Sequence, residues 1–393
     1  MPNLRVLIAG GGLAGPLLAH GLLRQGLDPL VFERDGDPDS RGQGYRISIA
    51  PEGARALRDC LPPALYDLAF ATSGRRGTAV TVLGTGLQEL HRMTFPAPLG
   101  DDDGSAGISV DRQTLRLILL AGLEGRTRFG AAFSRYQLGE RGTVRAWFDD
   151  GTSAQGDVLV GAEGSVSGVR AQLAPEARVR ETGQLLIFGK SRLTEEVLAL
   201  APPQAFEGFS TVVGADGRFL PLAGLEFRDD PAQAAARWPG LVLTETENYL
   251  MWVLGAPAGR YGEAAADLRH RDPAALRDLA AAMIEDWHPS LPRLIRLGDP
   301  STVSAATIRS SCRPPLWPNG PVTLIGDAAH CMPPAGVGAA VALRDAALLA
   351  SRLGEAARGE RVLTAAIRAY EEEMLDYGFA AVARAEQVSG QLG

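Results

Sequence analysis

Residues 4–34, LRVLIAGGGLAGPLLAHGLLRQGLDPLVFER, decide the fold of this chain. The run 4–9 has the length and apolar character of a buried parallel strand, and it ends in three glycines. Apolar residues at helical spacing follow over 13–25, and Gly26 ends that predicted helix. Residues 28–32 predict a second strand, which ends at Glu33. This order within about 30 residues predicts the first unit of a Rossmann-like α/β domain.

The glycine turn has the pattern G-x-G-x-x-G, whose glycines allow a tight turn, close backbone approach to a diphosphate, and close helix–strand packing. The predicted cofactor-binding residues of this turn are Gly10, Gly12, Leu13, Ala14 and Gly15. Because a helix N-terminus attracts anions, we expect the diphosphate of a dinucleotide there. Glu33 is placed to bind the adenosine ribose, and Arg34 to lie along the adenine or the phosphates. NAD and FAD both satisfy this motif.

A second glycine-rich segment separates these two cofactors. A predicted strand at 322–325 precedes Gly326 and Asp327, and a glycine-flanked loop then opens a helix. An aspartate there accepts hydrogen bonds from ribityl hydroxyls, and the N–H groups of the loop stabilise negative charge on a reduced flavin. The predicted flavin-binding residues are Gly326, Asp327, Pro334, Gly336, Val337 and Gly338. The alternative is that Asp327 only caps the turn.

With these motifs the chain resembles the single-component FAD-dependent monooxygenases related to p-hydroxybenzoate hydroxylase, which include many aromatic and polyketide hydroxylases. Three motifs carry the resemblance in order: GGGLAG at 10–15, DVLVGAEGSVSGVR at 157–170, and WPNGPVTLIGDAAHCMPPAGVG at 317–338. The resemblance implies a non-covalent FAD, NADH or NADPH as a transient reductant, and a flavin C4a-hydroperoxide as oxygen donor. It also implies that Arg112 contacts the flavin, and that Gly164 and Arg170 lie around the cofactor and NAD(P)H.

The resemblance predicts an α/β fold with a discontinuous, glutathione-reductase-like FAD-binding domain at 1–72, 100–175 and 300–355. A sheet-plus-helix substrate domain is expected at 73–99 and 176–299, and a C-terminal helical segment at 356–393. Two positions depart from the family pattern, because Glu163 stands where an Asp is usual and Ala340 where an Asn is common. We therefore expect Ala340→Asn to restore an anchor for the flavin-side loop and to tighten FAD binding.

Candidates on the substrate side are less sharply defined. Tyr45 and Arg46 follow the second strand, and Met251 and Trp252 lie on a predicted strand of the substrate domain. Each is expected either to line the substrate pocket or to pack in the core or beside FAD. His330 is either a proton relay or, as we favour, a residue that orients the motif around it. Hydroxylation by an activated flavin needs mainly positioning and exclusion of water, so no strong acid–base signature is expected.

Composition limits the class of protein. A charged fraction of 22% and a hydrophobic fraction of 46% are ordinary for a folded globular chain, and the net charge of −7 opposes nucleic-acid binding. Three scattered cysteines and unpaired histidines predict no metal site and a reduced, cytoplasmic setting. We expect no membrane span, because no apolar run reaches the required length of about 18 residues. The expected partners are a small aromatic or polycyclic substrate and O2, and the chain is expected to be a monomer or homodimer.

The predicted activity is hydroxylation or epoxidation in natural-product tailoring or degradation. The main alternative is a reductase or dehydrogenase of the same fold that inserts no oxygen. A related halogenase is disfavoured, because the chain has no W-x-W sequence and its only lysine is Lys190. A plain NAD-dependent dehydrogenase or a non-redox binding protein is the remaining alternative.

Overall fold

A computed structural model describes residues 4–39, 45–75, 77–95, 104 and 106–392, so the parts of the predicted domains at 1–3, 40–44, 76, 96–103, 105 and 393 lie outside the described residues. The strands in chain order are β1 (Arg5–Ala9), β2 (Asp28–Phe32), β3 (Arg46–Ile49), β4 (Ala79–Gly84), β5 (Glu89–Thr94), β6 (Ile108–Asp111), β7 (Thr127–Arg128), β8 (Phe133–Leu138), β9 (Val144–Phe148), β10 (Ser153–Gly156), β11 (Val158–Gly161), β12 (Val179–Arg192), β13 (Gly208–Val213), β14 (Phe219–Leu225), β15 (Tyr249–Pro257), β16 (Ser304–Ser311) and β17 (Val322–Leu324).

The α-helices in chain order are α1 (Ala14–Arg24), α2 (Pro51–Cys60), α3 (Pro63–Ala71), α4 (Arg112–Leu120), α5 (Gly168–Leu173), α6 (Glu195–Leu200), α7 (Gln204–Glu207), α8 (Pro231–Ala235), α9 (Pro273–Ala282), α10 (Ser290–Arg296), α11 (Asp327–His330), α12 (Gly338–Ala357) and α13 (Leu363–Leu392).

Five strands from distant parts of the chain form a parallel sheet in the order β17-β11-β1-β2-β7. Its central strand β1 is flanked on both sides and consists of residues that are almost wholly buried after Arg5. Continuous apolar strands of this kind are typical of a parallel sheet covered on both faces. The arrangement confirms the predicted α/β fold with a Rossmann-like domain. All the predicted motifs approach the carboxyl ends of these strands, where ligands bind in such sheets.

A second, mixed sheet has the strand order β16-β12-β15-β14-β13-β4-β5, in which β13 and β4 are parallel. One of its faces packs on α9 and α10 in a core that includes Trp252, Ile284 and Leu294. The other face carries Phe188, Phe219 and further apolar side chains, and it turns toward β3 and β6. β16 belongs to this sheet, although the predicted boundary assigned residues from 300 onward to the FAD-binding domain.

The region before β15 forms no strand. Met251 and Trp252 lie on β15, as predicted, but residues 241–248 are not part of that strand. Glu245, Glu247 and Asn248 interrupt the apolar pattern there, and Glu245 instead forms an ion pair with Lys190. Residues 214–217 form the turn that connects β13 and β14.

Two long helices, α12 and α13, close the fold at its C-terminal end, and α13 lies within the segment predicted to be helical at 356–393. Across the described ranges, none of the helices is long and apolar enough to cross a membrane. Nor do the described histidines, cysteines and carboxylates form a group of three or more that could hold a metal ion. Cys60, Cys312 and Cys331 are free thiols.

Glu371 on α13 is a buried carboxyl whose titration opposes folding at neutral pH. Its side chain is fully buried, accepts a hydrogen bond from Trp317 Nε1 at 2.7 Å, and lies 3.2 Å from Arg368 Nη1. Burial raises the pKa of the Glu371 carboxyl from 4.5 to about 7, although Trp317 and Arg368 oppose the shift. A carboxyl with a raised pKa binds more protons in the folded state, so its stabilising contribution is lost as the pH rises toward about 7.

We expect the free energy of unfolding to fall as the pH rises from about 5 to 8, and Glu371→Gln to remove on the order of 3 kcal/mol of that fall. Urea unfolding at several pH values measures this dependence. The matched control is Glu372→Gln, which changes an exposed carboxyl one residue further on. Equal pH dependence in the Glu371→Gln variant and the wild type would contradict the assignment.

Candidate active site

The glycine loop between β1 and α1 has the geometry that its pattern predicts. Gly10 has a φ of +116°, and a Cβ atom added there would lie 2.3 Å from the Ala162 carbonyl oxygen. A Cβ on Gly15 would lie 2.1 Å from the Gly10 carbonyl oxygen, whereas one on Gly12 would meet no atom within 4 Å. Gly10 and Gly15 are therefore required by the turn, and Gly12 leaves one side of the loop open.

The N-terminus of α1 is suited to bind an anion. Its N-cap residue, Leu13, provides no side-chain cap, and its first turn contains no acidic residue. The first N–H groups of a helix lack partners within the helix, and the helix dipole adds positive potential there. An uncapped helix start beside an open glycine fits the diphosphate of a dinucleotide.

Glu33 lies directly beside this loop. Its side chain is 3% exposed, and its Oε2 accepts a hydrogen bond from the Gly11 N–H at 2.5 Å. The Asp35 N–H donates to Oε1 at 3.0 Å. Glu33 therefore has the position predicted for a ribose ligand and also braces the loop, whereas its neighbour Arg34 is exposed.

Sequence reasoning missed Arg116, which holds the other side of the loop. This side chain is 1% exposed, and it donates from Nε to the Gly11 carbonyl oxygen at 2.8 Å and from Nη1 to that of Pro38 at 2.8 Å. It also pairs with Asp35 at 3.1 Å. The spacing of Arg112 and Arg116, one helical turn apart on α4, is the signal that could have indicated it.

Asp327 lies at the carboxyl end of β17, immediately after Gly326. It is the one exposed residue in the buried run 321–331, all of which the structure describes. Burial among protein atoms raises the pKa of the Asp327 carboxyl, and the charges of His330 and Arg112 oppose the shift. A carboxylate that lies deep in the fold and still reaches solvent has the position of a ligand-binding group in a cleft.

Arg112 approaches the same place from α4, which begins with it. Its N–H donates to the Tyr45 carbonyl oxygen at 3.0 Å, and the side chain of Asp111 caps the helix by accepting the Thr114 N–H at 2.9 Å. The buried Arg112 Nη1 has no hydrogen-bond partner among the described residues. A buried guanidinium donor is costly to leave unpaired, so a ligand oxygen is its expected partner.

The loop at 334–338 supplies a second uncapped helix start. Pro334 and Gly336 are exposed, Val337 and Gly338 are half-buried, and Gly336 has a φ of +75°. α12 then begins without a side-chain cap on Val337 and without an acid in its first turn. Its N–H groups are thus available to stabilise negative charge, as expected for the reduced flavin.

The middle of the three motifs, residues 157–170, contacts the segment that follows Asp327. Glu163 accepts hydrogen bonds from Ser167 Oγ at 2.5 Å and from the Val169 N–H at 3.0 Å, and burial raises its pKa against the effect of those bonds. Arg170 donates to the Ala328 carbonyl oxygen at 3.1 Å and to that of Ser165 at 2.7 Å. Glu163 therefore bonds within its own segment, at the turn where Gly164 has a φ of +78°.

Ala340 is fully buried on α12, opposite Gly53 of α2. A Cβ on Gly53 would lie 2.7 Å from the Ala340 Cα, so the two helices touch at this point. An Asn side chain at position 340 would have to fit at this close helix contact, so we predict that Ala340→Asn overpacks it, in competition with the expected anchor for the flavin-side loop.

We expect Ala340→Asn to lower the free energy of unfolding by about 1–3 kcal/mol, the usual cost of overpacking, and to leave FAD binding no tighter. Chemical denaturation of the protein without added FAD measures the first effect. Ala339→Asn is the control, since Ala339 is half-buried one residue earlier. Tighter FAD binding by Ala340→Asn would restore the original expectation.

The substrate-side candidates separate onto two faces of the mixed sheet. Met251 packs in a cluster with Tyr45, whose ring lies 5.0 Å from that of Phe188. Trp252, the next residue along β15, is fully buried against the helices on the opposite face. Arg46, the residue after Tyr45, is buried, donates from Nη2 to Ser109 Oγ at 2.9 Å, and lies close enough to Tyr249 of β15 to interact with it electrostatically. The structure therefore brings Tyr45 and Met251 together, with Arg46 near Tyr249, and places Trp252 in the core.

Burial lowers the pKa of the Arg46 guanidinium to about 10, with Tyr249 opposing the shift. The buried Nε of Arg46 has no partner in the described part of the chain. Arg46 therefore remains a cation with one hydrogen-bond donor available, next to an apolar sheet face.

His330 occupies a fully buried position away from this face. Its Nε2 donates to Asp345 Oδ2 at 2.7 Å, and the same oxygen accepts the Gly326 N–H at 2.7 Å. Tyr377 donates to the other oxygen of Asp345 at 2.6 Å. Burial lowers the pKa of His330, but Asp345 and Asp327 outweigh it and the net pKa is raised. This network fixes the backbone just before Asp327, which fits the favoured orienting role.

Lys190 is a further residue that sequence reasoning misjudged. It entered only as an argument against a halogenase, yet it lies buried beside Asp111 at the start of α4. The argument against a halogenase therefore rests only on the absence of a W-x-W sequence.

Comparison with known proteins agrees with this geometry. A sequence model of the FAD binding domain family matches residues 264–385. The dual O-methyltransferase/FAD-dependent monooxygenase elcB of Phaeosphaeria nodorum is 34% identical over 373 residues, which are 88% of this chain and 40% of that protein. The 2-heptyl-3-hydroxy-4(1H)-quinolone synthase of Pseudomonas aeruginosa is 29% identical, over 91% of this chain and 83% of that protein.

A solved structure of a candidate FAD-containing monooxygenase from Photorhabdus luminescens superposes with a TM-score of 0.84 at 29% identity, covering 99% of this chain and 98% of that one. This chain spans about two fifths of the length of elcB, so it corresponds to a part of that protein.

The Rossmann-like sheet, the open glycine loop and the second uncapped helix start define a dinucleotide-binding flavoprotein fold. The sequence and structural matches are to FAD-dependent monooxygenases, and they support the predicted resemblance to the monooxygenases related to p-hydroxybenzoate hydroxylase. The individual roles of the site residues stay predictions.

Proposed function

We propose that the chain binds FAD non-covalently and uses NADH or NADPH and O2 to hydroxylate or epoxidise an aromatic or polycyclic small molecule. The proposal rests on Tyr45, which contacts both a predicted cofactor-binding residue and an apolar surface rich in aromatic rings. We call this surface the apolar wall. Its carbonyl oxygen accepts the Arg112 N–H at 3.0 Å, while its ring packs on Phe188. A substrate on that wall would therefore lie next to the flavin-binding residues.

The residues of the site fit FAD. The start of α1 and the open side of Gly12 would hold the diphosphate, Glu33 the ribose, and Asp327 the ribityl hydroxyls. The Nη1 of Arg112, which has no hydrogen-bond partner among the described residues, supplies a donor for a flavin oxygen. When bound there, FAD would supply the redox chemistry: reduction by NAD(P)H, insertion of one atom of O2 into the substrate and release of the other as water. The chain's own contribution is to position the two reactants, exclude water and stabilise negative charge at the start of α12.

The character of the wall supports the substrate class. The apolar side chains that share this face of the mixed sheet, or pack on it, are Tyr45, Leu186, Phe188, Phe209, Val213, Phe219, Phe227, Met251, Val253 and Ile308. Aromatic rings in such a surface favour planar aromatic ligands through stacked or edge-to-face contacts. The donor on Arg46 is placed to recognise a hydroxyl, phenolate or carbonyl oxygen of the substrate. The Pseudomonas relative is named as the synthase of a hydroxylated quinolone, a planar aromatic product.

Oxygen transfer is the decisive property to test. The purified chain, reconstituted with FAD, is mixed with NADH or NADPH and a panel of 4-quinolones, naphthols and hydroxyanthraquinones. We expect substrate-dependent O2 uptake and a product that carries one 18O atom from 18O2. Stoichiometric substrate reduction without O2 would replace the monooxygenase by the reductase alternative. A colourless protein that FAD fails to reconstitute would leave an NAD-dependent dehydrogenase or a binding protein.

A further inference from the structure

A buried cluster of charged side chains joins the mixed sheet to the start of α4. Lys190 Nζ on β12 lies 2.9 Å from Asp111 Oδ2, and it also forms an ion pair with Glu245. Tyr249 on β15 donates its hydroxyl to the same Asp111 oxygen at 2.9 Å. The ammonium group of Lys190 lies over the Tyr249 ring, 4.3 Å from its centroid.

Burying these charges costs free energy, so their presence in the interior needs an explanation. Asp111 is fully buried, and Lys190 is 6% exposed although it is the only lysine in the chain. Removing such charges from water costs several kcal/mol per ion, which pairing often only offsets. A buried ion pair is thus weak evidence for stability, and a role in holding a specific geometry becomes the better explanation.

The cluster is bonded to the start of α4 through Asp111. Asp111 uses its Oδ1 to cap this helix at the Thr114 N–H, while its Oδ2 faces the mixed sheet. α4 begins with Arg112 and, one turn later, carries Arg116, which binds the glycine loop at Gly11. One carboxylate therefore connects the strands of the apolar wall with the helix that carries both arginines.

We infer that Lys190 is a positioning residue that, through Asp111, fixes the start of α4 and thereby orients Arg112 toward FAD. The inference rests on the proposed FAD site and deepens it, because the sheet that forms the apolar wall also sets the position of a cofactor-binding arginine. Without the ammonium group, the Asp111 carboxylate still accepts the Tyr249 hydroxyl but loses the positive charge that neutralises it.

The test compares Lys190→Met with a matched variant, Arg218→Met. Arg218 likewise pairs with two carboxylates, Asp216 at 2.7 Å and Asp286 at 2.8 Å, and lies over an aromatic ring, that of Trp287. Its cluster is at the far turn of the mixed sheet and makes no contact with α4 in the described chain. Titration of the FAD-free protein with FAD, followed by flavin fluorescence, gives the Kd for each variant.

We expect Lys190→Met to raise the Kd for FAD at least tenfold, Lys190→Arg to stay within about threefold of the wild type, and Arg218→Met to change it less than twofold. In an Arg112→Ala background, Lys190→Met should add less than about threefold, because the residue on which it acts is gone. Independent, multiplying effects of the two substitutions, or an unchanged Kd in Lys190→Met, would overturn the inference.

Folding is followed separately by thermal unfolding without FAD. If Lys190→Met does not fold, Tyr249→Phe removes the other hydrogen bond to Asp111 Oδ2 and takes its place in the same cycle with Arg112→Ala. Failure of both variants to fold, with Arg218→Met folded, would assign the cluster a structural role alone and overturn the inference. Wild-type protein that binds no FAD would instead refute the proposed function.

Discussion

Asp327→Ala is expected to raise the Kd for FAD at least 100-fold and to yield a purified protein without flavin colour. The substitution removes a carboxyl acceptor next to Gly326, and hydrogen bonds to charged groups contribute about 1.5–3 kcal/mol each. The fold should tolerate the change, because the Asp327 side chain is exposed and accepts no hydrogen bond among the described residues.

The measurement is the ratio of flavin to protein absorbance after gel filtration, together with thermal unfolding of the FAD-free protein. Asp376→Ala is the control, since it removes an exposed carboxylate that pairs only with Arg313 on the surface. Equal flavin content in Asp327→Ala and the wild type would show that Asp327 caps the turn and binds nothing else. A large loss of stability without FAD would also contradict the assigned role.

The cofactor-binding half of this site could be predicted from sequence because its signals are local. β1, α1 and β2 lie within two residues of their predicted bounds, since strand, glycine turn and helix each follow from neighbouring residues. Asp327 and Arg112 could be brought together only by the family resemblance, as no pattern relates residues so distant in sequence. Asp327 follows β17 of the parallel sheet and Arg112 follows β6 of the two-stranded sheet, so their meeting depends on how separate sheets pack together.

The parts that sequence reasoning missed depend on long-range pairing of side chains. Which of Met251 and Trp252 faces the apolar wall follows from strand parity, and parity is unknown until the register is known. Asp345 and Lys190 look ordinary in sequence, yet each bonds a segment far away in the chain, at Gly326 and Asp111 respectively. The close contact of Ala340 with Gly53 depends on the packing of α2 against α12, which no local pattern reveals.

Gly12→Asp should separate cofactor binding from folding at the glycine loop. Gly12 lies outside the positive-φ region, and a Cβ there would meet no atom within 4 Å, so the FAD-free protein should keep its stability to within about 0.5 kcal/mol. The added carboxylate would nevertheless occupy the open side of the loop and place a negative charge beside the diphosphate. We expect the Kd for FAD to rise at least 100-fold.

Gly10→Ala provides the contrast, because the same loop should fail there for a different reason. Gly10 has a φ of +116°, and its Cβ would lie 2.3 Å from a backbone oxygen, so the added methyl group forces β1 and β11 apart. We expect a loss of about 3 kcal/mol or more in the free energy of unfolding without FAD, by strain and overpacking together. Urea unfolding and FAD titration of both variants measure the two effects independently. If Gly12→Asp binds FAD normally, the diphosphate does not approach the open side of the loop; if it destabilises the FAD-free protein as much as Gly10→Ala does, the open side is part of the packed core.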